Sequence, residues 1–182
     1  MTTRLLYGDI TADQVVEAVD ENELRDSGLA QLGRLSHGSR WGNEIGWTQA
    51  SAVQDTWYPV SDADMSDGQL ADVTHDGSGK LTVELAGKYL VNYATTLECS
   101  AIGKHVQVGI GVTPDGGSIT VQDDCMQHYE TLSPNAQVPI SGAAIIALSA
   151  LDAVQCCVRT TDTGTPDLSV DHLNVSLVRL GV

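Results

Sequence analysis

The chain has 182 residues, 42% of them hydrophobic, with 9 basic against 24 acidic residues, a net charge of −15 and an isoelectric point near 4.3. That length supports one domain, or one domain with an arm, and buries a core without disulfide staples. So acidic a field repels nucleic-acid phosphates and anionic lipid surfaces, and no apolar run of about eighteen residues marks a membrane span.

The first residues, Met1-Thr2-Thr3-Arg4-Leu5-Leu6, hold too short an apolar stretch for a signal peptide, so export by the general secretory route is not expected. Residues 11–24 carry the one helical pattern: Thr11 as a cap with Gln14 three residues on, Asp13 and Glu17 near the positive end of the dipole, and a stripe of Val15, Val16, Val19 and Leu24. So short a helix needs a surface to pack on. From Ser27 to Gly46, glycines recur at 28, 33, 38, 42 and 46 among Ser, Arg and Leu, which reads as an extended arm. Residues 1–46 are therefore expected to be a helix and anchoring arm, with Val15, Val19, Leu29, Leu32 and Trp41 as its contacts, and residues 47–182 a separate head.

Trp41, Trp47, Trp57 and Tyr58 are clustered in a chain only 4% aromatic. They predict packing in the core or at a sheet edge, with an exposed partner-binding patch as the alternative. From Thr48 onward short alternating segments are separated by turns such as Asp76-Gly77-Ser78-Gly79 and Pro114-Asp115-Gly116-Gly117. Strands are predicted at 52–58, 70–74, 81–85, 88–96, 105–112, 118–123, 127–132, 137–140, 144–150, 154–160 and 173–180. Two alternating runs, Leu81–Leu85 and Lys88–Tyr93, meet at Gly87, which allows a bend or tight turn between them. Many short strands without intervening amphipathic helices predict an all-β, antiparallel jelly-roll sandwich.

Candidate chemistry is sparse. Asp62, Asp64 and Asp67 suggest a calcium loop, but counting from Asp62 puts Asp67 where an EF-hand loop needs glycine and Val73 where it needs glutamate. Cys125 and His128 are possible soft ligands that need a second pair, for which His105, His172 or Cys99 are candidates in space. Cys99, Cys125, Cys156 and Cys157 match no paired zinc spacing, and the adjacent Cys156 and Cys157 point to opposite faces of a strand. They read as buried free thiols suited to a reducing cytoplasm. His128 with Glu130, and His75 with Asp76, are the conceivable acid–base pairs, yet no nucleophile elbow, zinc-helix motif, phosphate loop or dinucleotide fingerprint accompanies them. No catalytic residue, metal or cofactor is expected.

Three segments carry a resemblance. Gly87-Lys88-Tyr89-Leu90-Val91, Leu148-Ser149-Ala150-Leu151-Asp152-Ala153-Val154 and the closing Leu173-Asn174-Val175-Ser176-Leu177-Val178-Arg179-Leu180 resemble, in order and spacing, strands of the tumour-necrosis-factor-like jelly roll shared with complement heads. Phage capsid decoration proteins, head spikes and tail-needle knobs use this kind of head, and the short arm before it looks like theirs. The resemblance implies a homotrimer around a threefold axis, with Tyr89, Val91 and Tyr93 in the barrel core or the subunit interface. It implies a non-enzymatic virion protein, assembled in the host cytoplasm, that attaches through its arm to a major capsid protein or another virion component. The alternative it implies is a receptor- or glycan-binding head at a fibre or tail tip, recognising its target through loops at 62–67, 114–118 and 161–167.

Overall fold

The computed structural model describes residues 36–61 and 65–181. Among them thirteen strands follow in order: β1 (His37–Gly42), β2 (Trp47–Gln49), β3 (Tyr58–Pro59), β4 (Ser66–Asp67), β5 (Val73–His75), β6 (Leu81–Val83), β7 (Gly87–Cys99), β8 (His105–Thr113), β9 (Thr120–Val121), β10 (Gln127–Glu130), β11 (Val138–Leu148), β12 (Ala153–Thr160) and β13 (Leu168–Gly181). They form two antiparallel sheets. Sheet one runs β11-β7-β13-β1-β4, with β2 also on β13; sheet two runs β10-β8-β12-β6-β5, with β3 on β12 and β9 on β8. This is an antiparallel jelly-roll sandwich. The N-terminal helix expected at 11–24, and with it Val15, Val19, Leu29 and Leu32, lies outside the described residues.

Period-two alternation builds the core between the sheets. Along β7, Tyr89, Val91, Tyr93, Thr95, Leu97 and Cys99 are buried. Along β13, Val175 and Leu177 do the same, and from sheet two come Val106, Val108, Ile110, Val154, Cys156 and Val158. Each fully buried aliphatic or aromatic side chain contributes about 1.5–3 kcal/mol.

Three differences from the sequence expectation have physical causes. First, His37–Gly42, expected in the arm, is a full strand paired with β13 from His37↔Val178 to Gly42↔Leu173. Its glycines face inward: a Cβ on Gly38 would strike Val73, and one on Gly42 would strike Ile45. The two glycines, on either side of the inward Arg40, make room for Val73 of the opposite sheet and for Ile45 of the following loop. Second, the strand expected over 52–58 is mostly loop, because Ser51 and Asp55 adopt positive φ of 52° and 58° and only Tyr58–Pro59 pairs. Third, 137–140 and 144–150 form one strand, β11, running through Gly142. Gly142 sits opposite Tyr93, and a Cβ there would come within 2.7 Å of the Tyr93 ring and 2.8 Å of the Cys125 carbonyl. The glycine is a slot for that ring, not a break.

Gly87 stands at the junction of two strands, as expected. It opens β7 after the short turn that follows β6. A Cβ there would fall on the Gly181 carbonyl oxygen and the Arg179 side chain, so the glycine admits the end of β13 against β7.

Candidate functional site

The outward face of sheet one is built by the residues that alternate with the core. Ladder pairing sets them in rows: Ile145–Leu90–Val178–His37, then Ala143–Asn92–Ser176–Ser39, then Ser141–Ala94–Asn174–Trp41. With Thr96 and Pro139 beyond, these rows hold no aspartate or glutamate, although the chain carries 24 acids; Glu98 and Asp171 stand only at the margin. Ile145 is 60% exposed and Trp41 43%. A contiguous face without carboxylates that exposes Ile145 and Trp41 is unusual on an acidic chain, and it is the candidate contact surface.

At one end of this face the register of β13 slips between Val170 and Leu173. The bulge leaves backbone groups off the ladder, and β7 satisfies them with side chains: the Thr95 hydroxyl donates to the His172 carbonyl at 2.8 Å, and the His172 N–H donates to the Thr96 hydroxyl at 3.0 Å. Beside it lies a groove of about 350 Å³ lined by Trp41, Asn43, Thr96, Pro139, His172 and Asn174.

Tyr89, Val91 and Tyr93 lie on the other side of the same strand, buried between the two sheets of one chain. The Tyr89 hydroxyl donates to the Leu85 carbonyl at 2.7 Å. That of Tyr93 lies between the carbonyls of Cys125 at 2.8 Å and Val108 at 3.1 Å, and burial pushes its phenol well above the ordinary range. The outward neighbours Leu90, Asn92 and Ala94, which sequence reasoning did not single out, reach the surface instead; the signal for them was the alternation itself. The aromatic cluster divides: Trp41 and Trp47 belong to sheet one, Tyr58 to sheet two, and Trp57 stacks under the Arg159 guanidinium at 4.5 Å.

The remaining titratable groups are tied into structure. Arg40, 2% exposed, points inward from β1; its Nη2 donates to the Met65 carbonyl at 2.5 Å and its Nε lies 2.9 Å from Asp67 Oδ1. That approach is close enough for an ion pair but too bent for a hydrogen bond. The other Asp67 oxygen lies 2.9 Å from His75 Nε2, while His75 Nδ1 accepts from the Gly77 N–H at 3.2 Å. Asp67, from the suspected calcium loop, is therefore engaged in a clasp joining the edges of the two sheets; Asp62 and Asp64 lie outside the described residues. Asp76 is a turn former. Burial alone would raise its carboxyl, but the Ser78 hydroxyl at 2.7 Å and the Ser78 and Lys80 N–H groups hold it below the usual range.

All four cysteines are free and buried. Cys156 faces the core; Cys157 faces the other way, under Ile119, and burial pushes its thiol up to about 12. Cys125 and His128 do not meet: Cys125 is buried beneath β11 on a short 3-10 turn, and His128 is exposed on β10. Among the described residues no three imidazole, thiol or carboxylate groups converge as they stand on one ion position, and no helix is long and apolar enough to cross a membrane. The 161–167 loop is pinned, since Asp162 and Thr163 bond to His105 and Lys104 and Asp167 accepts from the Ser51 N–H at 2.8 Å.

Solved structures share this architecture. An Eiger TNF from S. frugiperda superposes with a TM-score of 0.59 at 19% identity, over 81% of this chain and 94% of that one. The globular domain of a zebrafish complement 1qA protein gives 0.51 at 16% identity, over 80% and 97%. Murine APRIL gives 0.50 at 13% identity, over 79% and 99%. These likenesses establish the jelly-roll fold. No protein-family model matches the chain, and a search of curated proteins finds no match.

Proposed function

We propose that this chain is a non-enzymatic assembly module, a homotrimer whose protomers pack through the outer face of sheet one. The observation that carries this reading is the absence of carboxylates from the rows between Leu90 and Thr96. Copies of a chain with a charge of −15 repel one another, so association favours a surface from which the charge has been removed. Burying the Ile145, Leu90 and Val178 row contributes about 25 cal/mol per Å² before the costs of association are subtracted. Ile145→Asp tests it. By sedimentation, the wild type runs as a trimer and the variant as a folded monomer; a wild type already monomeric at micromolar concentration overturns the proposal.

Within that reading, the trimer is a structural protein of a virion, a decoration or spike head assembled in the host cytoplasm and attached to a major capsid protein through residues of the N-terminal arm. Four buried free thiols suit a reducing compartment, and a jelly-roll head following the arm expected from the sequence resembles phage decoration and spike proteins. Imaging of purified particles tests this part separately: their lacking the protein removes the virion role and leaves the trimer standing.

A second reading, a glycan-binding head, is favoured by the groove at Trp41. An indole face beside Asn43, His172 and Asn174 combines stacking with hydrogen bonding. Glycan binding that Trp41→Ala abolishes while the trimer persists supports it; a glycan array without hits removes it.

A further inference from the structure

On the opposite side of the molecule, the edge of sheet two brings together two imidazoles far apart in sequence. Strand pairing sets His105 opposite Glu130 and His128 opposite Gln107, so His105, His128 and Glu130 share one outward face. The His105 and His128 ring centroids are 5.3 Å apart, edge to face at 74°. His128 and Glu130 are exposed, and His105 is partly so.

Asp162 orients the first ring. Its Oδ2 accepts the His105 backbone N–H at 2.5 Å and lies 3.0 Å from His105 Nδ1. A carboxylate oxygen accepts, so Nδ1 is the donor of this contact and Nε2 is the ring nitrogen that Asp162 does not engage. A carboxylate behind an imidazole is the usual support of a metal-binding histidine.

We propose that His105 and His128 bind one divalent transition ion of the zinc class, with Glu130 and water completing its shell and Asp162 as the positioning residue. The ring spacing fits. Two imidazoles bound tetrahedrally through bonds of about 2.0–2.1 Å place their centroids about 5 Å apart. Glu130 joins by turning about its exposed side-chain bonds. Nitrogen donors select zinc, cobalt, nickel or copper over calcium and magnesium, which prefer all-oxygen shells. The open position makes the site exchangeable, and it lies on the sheet face that the trimer proposal leaves free.

The test is titration of the full-length protein with Zn²⁺, and with Co²⁺ for its visible spectrum, using Mg²⁺ as the control for non-specific binding to the acidic surface. One equivalent of Zn²⁺ is expected to bind, with Mg²⁺ failing to compete. His105→Ala and His128→Ala are expected each to weaken binding more than about tenfold, and Glu130→Gln by less. Asp162→Asn is expected to weaken binding by about tenfold and to shift the cobalt band while the melting temperature stays that of the wild type. Since these side chains are on the surface, the variants fold. The proposal is overturned by no binding at Zn²⁺ concentrations of about 100 µM, above the micromolar range of ordinary affinities, or by binding unchanged in the His105→Ala/His128→Ala double variant. A thiolate-to-cobalt charge-transfer band, which would put the ion on the cysteines, also overturns it.

Discussion

The two outer faces of the sandwich are finished differently. On sheet two the chain covers itself: every residue of β12 except Arg159 is buried, on both faces of the strand. Val60 donates its N–H to the Cys156 carbonyl at 2.9 Å, the Gln155 amide donates to the Val60 carbonyl at 3.0 Å, and Ile119 and Val121 lie over Gly111 and Gly109, where a Cβ would collide with them. Covering a sheet from within one chain thus imposes glycines beneath the covering loops. On sheet one the chain leaves the corresponding face bare yet keeps carboxylates off it. A bare face without carboxylates in an acidic protein is the surface proposed above to meet another copy of the chain.

The contrast can be broken from either side. The largest effect is expected from charge on sheet one. Leu90→Asp should lower self-association at least about a hundredfold by light scattering, because an unpaired carboxylate buried among neighbours costs several kcal/mol; the far-ultraviolet circular dichroism should not change. Next comes the clasp. Asp67→Asn leaves the buried Arg40 guanidinium without its counter-charge and should cost about 3 kcal/mol in urea unfolding. Gly142→Ala pushes a methyl into the Tyr93 slot and should cost about 2 kcal/mol. On sheet two, Trp57→Ala removes the stack under Arg159, costs about 1 kcal/mol and leaves the assembly intact; loss of the trimer there would blur the distinction between the faces. Smallest is Asp76→Ala. The folded carboxyl titrates below the unfolded value near 3.8, so its contribution is complete above that pH and is lost as pH falls through the folded value. The stability gap between wild type and variant should be constant at neutral pH and narrow only in acid.

Much of the fold was legible because alternation reports burial directly. Val106, Val108 and Ile110, and Val154, Cys156 and Val158, face the core as their spacing predicts. The strand at His37–Gly42 was not legible, because inward glycines look like loop residues until Val73 and Ile45 are seen filling the space above them. Arg40 was hidden for the same reason: a charged side chain in an apparent arm gives no sign that it is buried against Met65 and Asp67. The face proposed for assembly was less legible. Tyr89, Val91 and Tyr93 were named through the resemblance, as core or interface, and are core; the ladder register is needed to show that Leu90, Asn92 and Ala94 share one surface with Ile145, Ser176 and Trp41. The pairing of His105 with His128 rests on a register that no local pattern encodes.

The most direct test is the mass of the full-length wild type by light scattering across a dilution series through the micromolar range. The account predicts three times the 19.2 kDa of one chain, falling only on strong dilution. A mass of one chain at every concentration would contradict it.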